Sequence, residues 1–346
     1  MKNIISSVLY IVAAVAISGC AKAIETSSND LNRQFLEAWI SVHHKDIKPS
    51  GLGIYVLEET QGSGTTVQKD GFAIVDYTIT DLEGNISSYT SKETAKQLGQ
   101  YDTSYYYGSK VWTTTEGTIQ AGLADALIGM QTGGRKKVVI PGWLLTYKVY
   151  DNVEDYLNPP KKGNAGSTTY DNAIYEFTVN DYVDNINDWQ ITEIGEYFNA
   201  NPEYGMTAKD SVQTGFYYKQ LIAPKDTTSF GSDTTIYINY TGKLLNGLVF
   251  DTTDERTAKD NGIYSVAKEY KPVPVRWAKE YSEIKLDGSG IITGFALTLW
   301  QMRAYEKGVG IFYSDLGYKH SGSGKQIPGY APLIFEIQIV DKPKEE

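Results

Sequence analysis

Cysteine and histidine are nearly absent from this 346-residue chain, which contains only Cys20, His43, His44 and His320. A single cysteine excludes an internal disulfide, and it leaves no thiol for a metal site or a nucleophile after residue 20. His43 and His44 are adjacent, and neighbouring positions do not share a helix face as two zinc ligands would. We therefore expect no cofactor and no metal, and a chemistry that needs neither.

Basic residues are also in the minority. The chain has 32 Lys and Arg against 42 Asp and Glu, which gives a formal net charge of −10. A net acidic chain without a large basic patch does not suit a nucleic-acid partner. The 27 tyrosines, together with frequent Thr and Val, favour β-sheet over helix.

The longest apolar run lies at the N-terminus, from Ile4 to Ile17. It is shorter than the ~20 residues that span a bilayer, but with Lys2 before it the run is typical of a secretory signal. The sequence Ile-Ser-Gly-Cys ending at Cys20 resembles a bacterial lipobox, which implies a lipid-anchored protein with a signal peptide over 1–20. Ala21 is similar to the residue that sorts such proteins to the Gram-negative outer membrane. The alternative is an ordinary signal peptide with an incidental cysteine.

The rest of the chain repeats itself. Residues 72–78 match 235–241, residues 121–130 match 293–302, and residues 173–177 match 333–337, with offsets of about 160 to 170 residues. The changing offsets place about nine extra residues in the second copy near 257–281, and about twelve in the first copy near 151–170. We expect a tether over 21–29, a first domain over 30–184 and a second over 185–346.

Each copy shows the same order of elements. Apolar spacing predicts a leader helix over 30–44 and another over 188–200. Alternation over 236–241 predicts a strand with one buried face, and Leu-Asn-Gly at 245–247 predicts a hairpin turn. Residues 294–302 are the only short-helix candidate of the second copy.

Five segments of the second copy give a more specific indication: YTG at 240–242, GLVFD at 247–251, IITGF at 291–295, SDLGY at 314–318 and IPGYAPLIF at 327–335. In this order they resemble the FKBP-type peptidyl-prolyl cis/trans isomerases. The resemblance implies an α+β fold of two tandem FKBP-like domains. Each would be a curved antiparallel β-sheet packed on one short helix, with a helical leader.

The resemblance also implies the site. The residues that would line a pocket for the prolyl ring are Tyr240, Phe250, Ile291, Ile292, Phe295 and Phe335, with Ile327 beside them. Asp251 takes the place of the family's pocket carboxylate, and Tyr318 that of the tyrosine whose hydroxyl donates to the substrate carbonyl. Two positions depart from the family: Phe295 replaces the usual Trp of the pocket floor, and Lys319 replaces the Gly after the loop tyrosine.

The first copy lacks most of these residues. The positions of Phe250 and Asp251 fall on Ser87 and Ser88, and that of Tyr318 falls on Thr146. Gln120 and Leu123 replace Ile292 and Phe295, and Tyr147 could restore a hydroxyl only after a one-residue slip. We expect this copy to keep the fold and to lose the chemistry.

The sequence thus predicts an exported, lipid-anchored isomerase that acts on X-Pro bonds of envelope proteins through its C-terminal domain. Its partners would be proline-containing polypeptide segments and, through the lipid, a membrane; the oligomeric state stays open. One alternative is a non-catalytic FKBP-like lipoprotein that binds a peptide or a partner. A weaker one is glycan capture by Trp112, Trp143 and Trp300, although such residues more often serve packing.

Overall fold

A computed structural model describes residues 28–147 and 171–344 of the chain. The first copy contains α1 (Ser28–His43), β1 (Tyr55–Thr60), β2 (Phe72–Thr80), β3 (Ile86–Tyr89), α2 (Lys92–Gln97), β4 (Lys110–Thr113), α3 (Ala121–Leu127), β5 (Arg135–Ile140) and β6 (Ala173–Val183). Its strands form an antiparallel sheet in the order β1-β5-β6-β2-β3, and β4 pairs with β2.

The second copy begins with α4 (Ile186–Ala200). It continues with β7 (Ser211–Gln213), β8 (Phe216–Ile222), β9 (Thr235–Leu244), β10 (Val249–Thr252), α5 (Glu255–Asp260), β11 (Val273–Arg276), β12 (Lys285–Leu286), β13 (Ser289–Gly290), α6 (Thr293–Gln301), β14 (Lys307–Phe312) and β15 (Leu333–Val340). The antiparallel order is β13-β12-β11-β9-β15-β14-β8-β7, with β10 paired to β9. The predicted fold class, two antiparallel sheets with few helices, is confirmed.

One short helix packs on the inner face of each sheet. In α6, Phe295 and Leu299 are buried, and Met302 follows directly after the helix into the same core. In the first copy α3 buries Leu123 and Leu127 in the corresponding place. The opposite face of each sheet is covered by the leader helix. Leu36 and Ile40 of α1 pack there, and in α4 this role falls to Ile194 and Phe198.

The expectation that residues 294–302 form the only short helix of the second copy was wrong. Residues Glu255–Asp260 form α5, whose first turn is capped by Asp254, the carboxylate of which accepts a hydrogen bond from the Thr257 amide at 2.7 Å. A six-residue helix with one buried side chain, Ala258, has no apolar periodicity to reveal it. The capping residue was the signal that sequence reasoning missed.

The duplication extends to individual hydrogen bonds. The Tyr240 amide donates to Thr253 Oγ1 at 2.9 Å, and in the first copy the Tyr77 amide donates to Thr90 Oγ1 at 3.0 Å. The next residue caps a helix in both copies, Asp254 before α5 and Ser91 before α2. The two copies therefore share one backbone register through this region, and their side chains can be compared position by position.

Several expectations fall outside the described residues: the signal peptide, Cys20, most of the tether and the loop over 151–170. Within 28–147 and 171–344, no helix is long and apolar enough to cross a membrane. In the same ranges no three His, Cys, Asp or Glu side chains gather closely enough to hold a metal ion.

On the outer face of the second sheet, the partly buried carboxylate of Glu336 connects β15 to β9, to β14 and to the 3₁₀ turn Pro202–Tyr204. Glu336 of β15 accepts hydrogen bonds from the Tyr204 hydroxyl at 2.5 Å and from Lys243 Nζ at 3.1 Å, and Lys307 Nζ lies 3.2 Å away. Burial raises the pKa of this carboxyl, but the Tyr204 hydrogen bond and the two lysine charges outweigh it, so the pKa lies below its usual value. Its stabilisation is therefore complete above the unfolded pKa near ~4.3 and is lost as the pH falls through the folded value.

We predict that Glu336→Gln lowers the free energy of unfolding by about 1–3 kcal/mol at neutral pH, because two lysines lose their partner. Urea titrations of the full chain at several pH values measure the effect. The difference from the unsubstituted chain should shrink below pH ~4, where Glu336 itself becomes neutral. Glu280→Gln, at an exposed position, is the control. A difference that does not change with pH would contradict this assignment.

Candidate functional site

Four aromatic rings from four different elements form a box in the second copy. Phe295 of α6 meets Phe335 of β15 edge to face, with ring centroids 4.9 Å apart, and meets Tyr240 of β9 at 5.4 Å. Phe250 of β10 also contacts Phe335 edge to face, at 5.6 Å. Edge-to-face contacts at these distances are favourable and hold the rings in fixed orientations.

The remaining predicted pocket residues join the same cluster. Ile327 is buried in it, and Ile291, Ile292 and Tyr318 pack against it as partly buried side chains. Ile292 is the residue at which the chain turns into α6, where its carbonyl accepts from the Phe295 amide at 3.1 Å. The structure thus brings together all the apolar and aromatic residues that the sequence assigns to the pocket.

The box depends on a glycine in β9. A Cβ on Gly242 would lie 2.6 Å from Phe250 Cε2 and 2.8 Å from Phe335 Cε1, distances that side-chain carbons do not tolerate. In the first copy the same register position is Ile79, because Gly242 pairs with Asp251 as Ile79 pairs with Ser88. Ile79 packs against the first core, so an aliphatic side chain stands there where the second copy leaves room for two rings.

Asp251 carries the polar side of the pocket. Its carboxylate accepts a hydrogen bond from the Tyr240 hydroxyl at 2.6 Å and another from Lys268 Nζ. Sequence reasoning missed Lys268. The available signal was its place within the extra residues that only the second copy has, since that copy alone keeps the aspartate.

The segment that carries Lys268 is held by aromatic contacts. The rings of Tyr264 and Tyr270 stack at 5.5 Å, and the Tyr270 hydroxyl accepts from the Ser265 amide at 3.0 Å. Lys268 Nζ itself lies 5.7 Å from the centre of the Tyr270 ring. This arrangement places a cation beside Asp251 while both groups stay partly open to solvent.

Tyr318 is half-buried, and in the described part of the chain its hydroxyl has no hydrogen-bond partner. The loop before it is fixed by a single 3₁₀ turn, Ser314–Leu316. The following residue, Lys319, has φ = 54°, the left-handed conformation that favours glycine. Its amide donates to Ser314 O and its carbonyl accepts from the Tyr330 amide, both at 2.8 Å. The loop therefore keeps its glycine-like backbone despite the lysine.

The two tyrosines of the site hold their protons strongly. Burial, followed by the charge and hydrogen bond of Asp251, raises the pKa of Tyr240 well above its usual value. Burial and the same charge also raise the pKa of Tyr318. Both hydroxyls therefore remain neutral donors from neutral pH up to at least pH ~10, the usual tyrosine pKa.

The described part of the first copy arranges its rings differently, with Tyr77, Tyr175 and Phe177 gathered around Trp112. Tyr77 stacks on Trp112 with centroids 5.1 Å apart, and Ser88, in the place of Asp251, donates to its hydroxyl at 3.5 Å. Thr146 is buried, and the neighbouring Tyr147 is 53% exposed. Trp112 packs on Phe177, and in the second copy Trp300 stacks on Trp277.

The other first-copy positions lie where the sequence places them. Gln120 precedes α3, and Leu123 is buried in that helix. Trp143 packs at the edge of the first core. All three tryptophans of the glycan alternative are partly buried and pack against a hydrophobic core.

Residues 227–340 match the family model described as FKBP-type peptidyl-prolyl cis-trans isomerase. They contain the aromatic box, Asp251 and Tyr318 in family order. This segment is an FKBP-type domain. Two relatives agree: a Haemophilus influenzae protein named "Probable FKBP-type peptidyl-prolyl cis-trans isomerase", 32% identical over 158 residues, and "FK506-binding protein 2" of Dictyostelium discoideum, 27% identical over 136 residues.

The matches cover only parts of the proteins. The Haemophilus alignment spans 45% of this chain and 55% of that protein, and the Dictyostelium alignment spans 39% and 84%. Among solved structures, the three FKBP domains of wheat FKBP73 superpose with a TM-score of 0.29 at 14% identity, covering 83% of this chain and 93% of that one. FkpA from Escherichia coli superposes with a TM-score of 0.30 at 19% identity, covering 45% and 62%. Both TM-scores are low, so the assignment of the fold rests on the sheets and helices of this chain.

The close approach at Gly242 can be tested by adding one methyl group. Gly242→Ala should lower the free energy of unfolding by about 1–3 kcal/mol, because the Phe250 and Phe335 rings must shift. Gly195→Ala is the control, since a Cβ at this position would meet no atom within 4 Å. The substitution also replaces a glycine inside a helix with a residue that favours helix. The control should stabilise the chain by about 0.5–1 kcal/mol. Equal stability of Gly242→Ala and the unsubstituted chain in urea titrations would refute the close approach.

Proposed function

We propose that the FKBP-type domain catalyses cis/trans isomerisation of X-Pro bonds in proline-containing polypeptide segments. The observation that carries this proposal is the Tyr318 hydroxyl. It is a neutral donor without an internal partner in the described ranges, and it stands at the edge of a mainly apolar aromatic box whose other polar groups, Tyr240, Asp251 and Lys268, are paired with one another. Such a site offers a prolyl ring a matching surface and offers the neighbouring carbonyl one hydrogen bond.

The reaction needs little more than this. Rotation about an X-Pro bond breaks amide resonance, and without catalysis it takes tens to hundreds of seconds. An amide that moves from water into an apolar pocket loses the hydrogen bonds that favour its planar, charge-separated form. A donor aimed at the twisted carbonyl stabilises the transition state further. A millionfold acceleration requires about 8 kcal/mol in total.

Asp251 and Lys268 act on the pocket rather than on the amide. The hydrogen bond from Tyr240 to Asp251 fixes the Tyr240 ring against Phe295. Lys268 balances the carboxylate, so a peptide entering the pocket meets a paired charge and not a free anion. The first copy keeps Tyr77 at the position of Tyr240 but has Ser88 in place of Asp251 and Leu123 in place of Phe295, and we assign catalysis to the second copy alone.

Phe295 at the pocket floor should lower the rate of isomerisation relative to a tryptophan. It is smaller than a tryptophan and carries no N–H, so the floor offers less contact area to the prolyl ring. The same observation supports the alternative function, a non-catalytic domain that binds a peptide or a partner. Measurement of the isomerisation rate separates the two.

The test uses the full chain in a protease-coupled assay with a short X-Pro peptide. Tyr318→Phe should lower kcat/KM about five- to tenfold, the effect of losing a hydrogen bond worth about 1 kcal/mol. Phe250→Ala should lower it further. Tyr147→Phe removes an exposed hydroxyl of the first copy and should leave the rate unchanged. Because the pKa of Tyr318 is raised, the rate should not fall between pH 7 and pH ~10 through loss of its proton.

A folded chain that does not accelerate isomerisation at any protein concentration would exclude the enzymatic function. Retained binding of the same peptide would then support the non-catalytic alternative.

We further propose that the protein is exported and anchored by a lipid on Cys20, with envelope proteins of a Gram-negative bacterium as clients. The signal-like segment and the lipobox-like sequence at 17–20 support this localisation.

Expression in a Gram-negative host with a labelled fatty acid tests the anchor. We expect the full-length protein to carry the label and to appear in the membrane fraction. The Cys20→Ser variant should lose the label and leave the membrane fraction. An unlabelled protein with Cys20 intact would contradict it.

A further inference from the structure

A second cavity lies at the degenerate site of the first copy. Its volume is about 740 Å³, and its lining includes Tyr77, Ser87 and Ser88, the equivalents of Tyr240, Phe250 and Asp251. Six tyrosines line it: Tyr77, Tyr89, Tyr101, Tyr105, Tyr106 and Tyr107. The other lining residues are serine, glycine, glutamine, aspartate and lysine, and the lining includes no Leu, Ile, Val, Met or Phe.

The second copy closes part of this cavity. Gly324 and Lys325, from the loop that follows Tyr318, reach its wall. The Tyr106 amide donates to the Lys325 carbonyl at 2.9 Å, and nearby the rings of Phe72 and Tyr330 meet edge to face at 5.5 Å. The cavity is therefore shaped by both copies, although most of its wall belongs to the first.

Two lysines, Lys110 and Lys325, line the cavity, and two more, Lys92 and Lys96, lie over the ring of its lining residue Tyr101. Lys110 Nζ is 4.8 Å from the centre of the Tyr106 ring, and Lys325 Nζ is 4.8 Å from that of Tyr105. Lys92 and Lys96 flank Tyr101 at 5.3 and 5.4 Å. Among residues 28–147 and 171–344, no carboxylate oxygen lies within 4.0 Å of any of these four ammonium groups.

Lys110 is the most informative of the four. It is partly buried in the cavity wall, and burial lowers its pKa. A partly buried cation without an anionic partner is unfavourable, and a bound anion would relieve that cost. The single acidic residue of the lining, Asp102, accepts the backbone N–H of Ser104 at 2.8 Å and its hydroxyl at 2.7 Å. The charge of Lys325 adds a smaller contribution to the lowered pKa of Asp102, so Lys110 is the lining lysine farthest from electrostatic compensation.

The lining also indicates what kind of anion fits. Tyr101 and Tyr105 have no internal hydrogen bond from their hydroxyls in the described part of the chain, and Ser87, Ser88 and Gln100 add further polar groups. Aromatic faces pack against the C–H faces of sugar rings, while hydroxyl and amide groups pair with sugar hydroxyls. A prolyl ring would find no aliphatic surface here.

We propose that this cavity binds an acidic oligosaccharide, with a uronic-acid carboxylate placed at Lys110. Tyr101 and Tyr105 would supply hydroxyls, and Lys92, Lys96 and Lys325 would attract the flanking carboxylates. This site is separate from the prolyl pocket and does not depend on the proposed isomerase function.

The test is calorimetric titration of the full chain with trigalacturonate, with maltotriose as the neutral sugar and hexaglutamate as the non-sugar polyanion. We expect binding of trigalacturonate that is at least about tenfold tighter than that of either comparison ligand. Lys110→Met should weaken it at least about tenfold, and Lys110→Arg should restore most of the affinity, because the charge returns. Lys209→Met, at an exposed lysine outside the cavity, is the matched control.

The double variant Lys92→Met, Lys96→Met provides a second measurement. Both lysines are exposed on α2, so their replacement leaves the core intact. It should weaken binding and flatten its dependence on salt. Absence of trigalacturonate binding, equal binding of hexaglutamate, or unchanged affinity of both the Lys110→Met and the double variant would each overturn the proposal.

Discussion

The close approach of three elements at Gly242 is the constraint on which the second copy depends. Because β9 carries no side chain there, Phe250 and Phe335 meet directly across it, and Phe295 and Tyr240 complete the box. The rings then leave the Tyr240 hydroxyl pointing at Asp251, and Asp251 in turn holds Lys268. Both the apolar and the polar half of the site therefore depend on the absence of a side chain at Gly242.

The two copies show how one backbone can hold two different cavities. Their register agrees down to the hydrogen bonds of Tyr77 and Tyr240, yet Ile79 replaces Gly242 and Ser88 replaces Asp251. In the second copy the result is an aromatic box of low polarity. In the first it is a tyrosine-lined cavity with cations around it. The fold is shared, and the side chains at equivalent positions determine the chemistry.

Much of this could be predicted from the sequence. The repeat, the two leader helices, the hairpin turn at Gly247 and the gathering of the pocket residues all follow from local patterns and family order. Lys268 was missed because its partner lies 17 residues away across a short helix and a loop without apolar periodicity, and only its place among the extra residues of the second copy indicated it. The tyrosine cavity could not be predicted from the sequence either. One wall comes from Gly324 and Lys325, more than 200 residues after the tyrosines in the chain, and only the tertiary structure brings these segments together.

The central claim is that a prolyl ring enters the aromatic box of the second copy. The most direct measurement is the set of intermolecular NOEs between a proline-containing peptide and the full chain with labelled aromatic side chains. The account predicts contacts from the prolyl ring to Phe250, Phe295, Phe335 and Tyr240, and none to the tyrosines of the first copy. Contacts confined to the first copy, or a bound peptide whose prolyl ring touches none of these four residues, would contradict it.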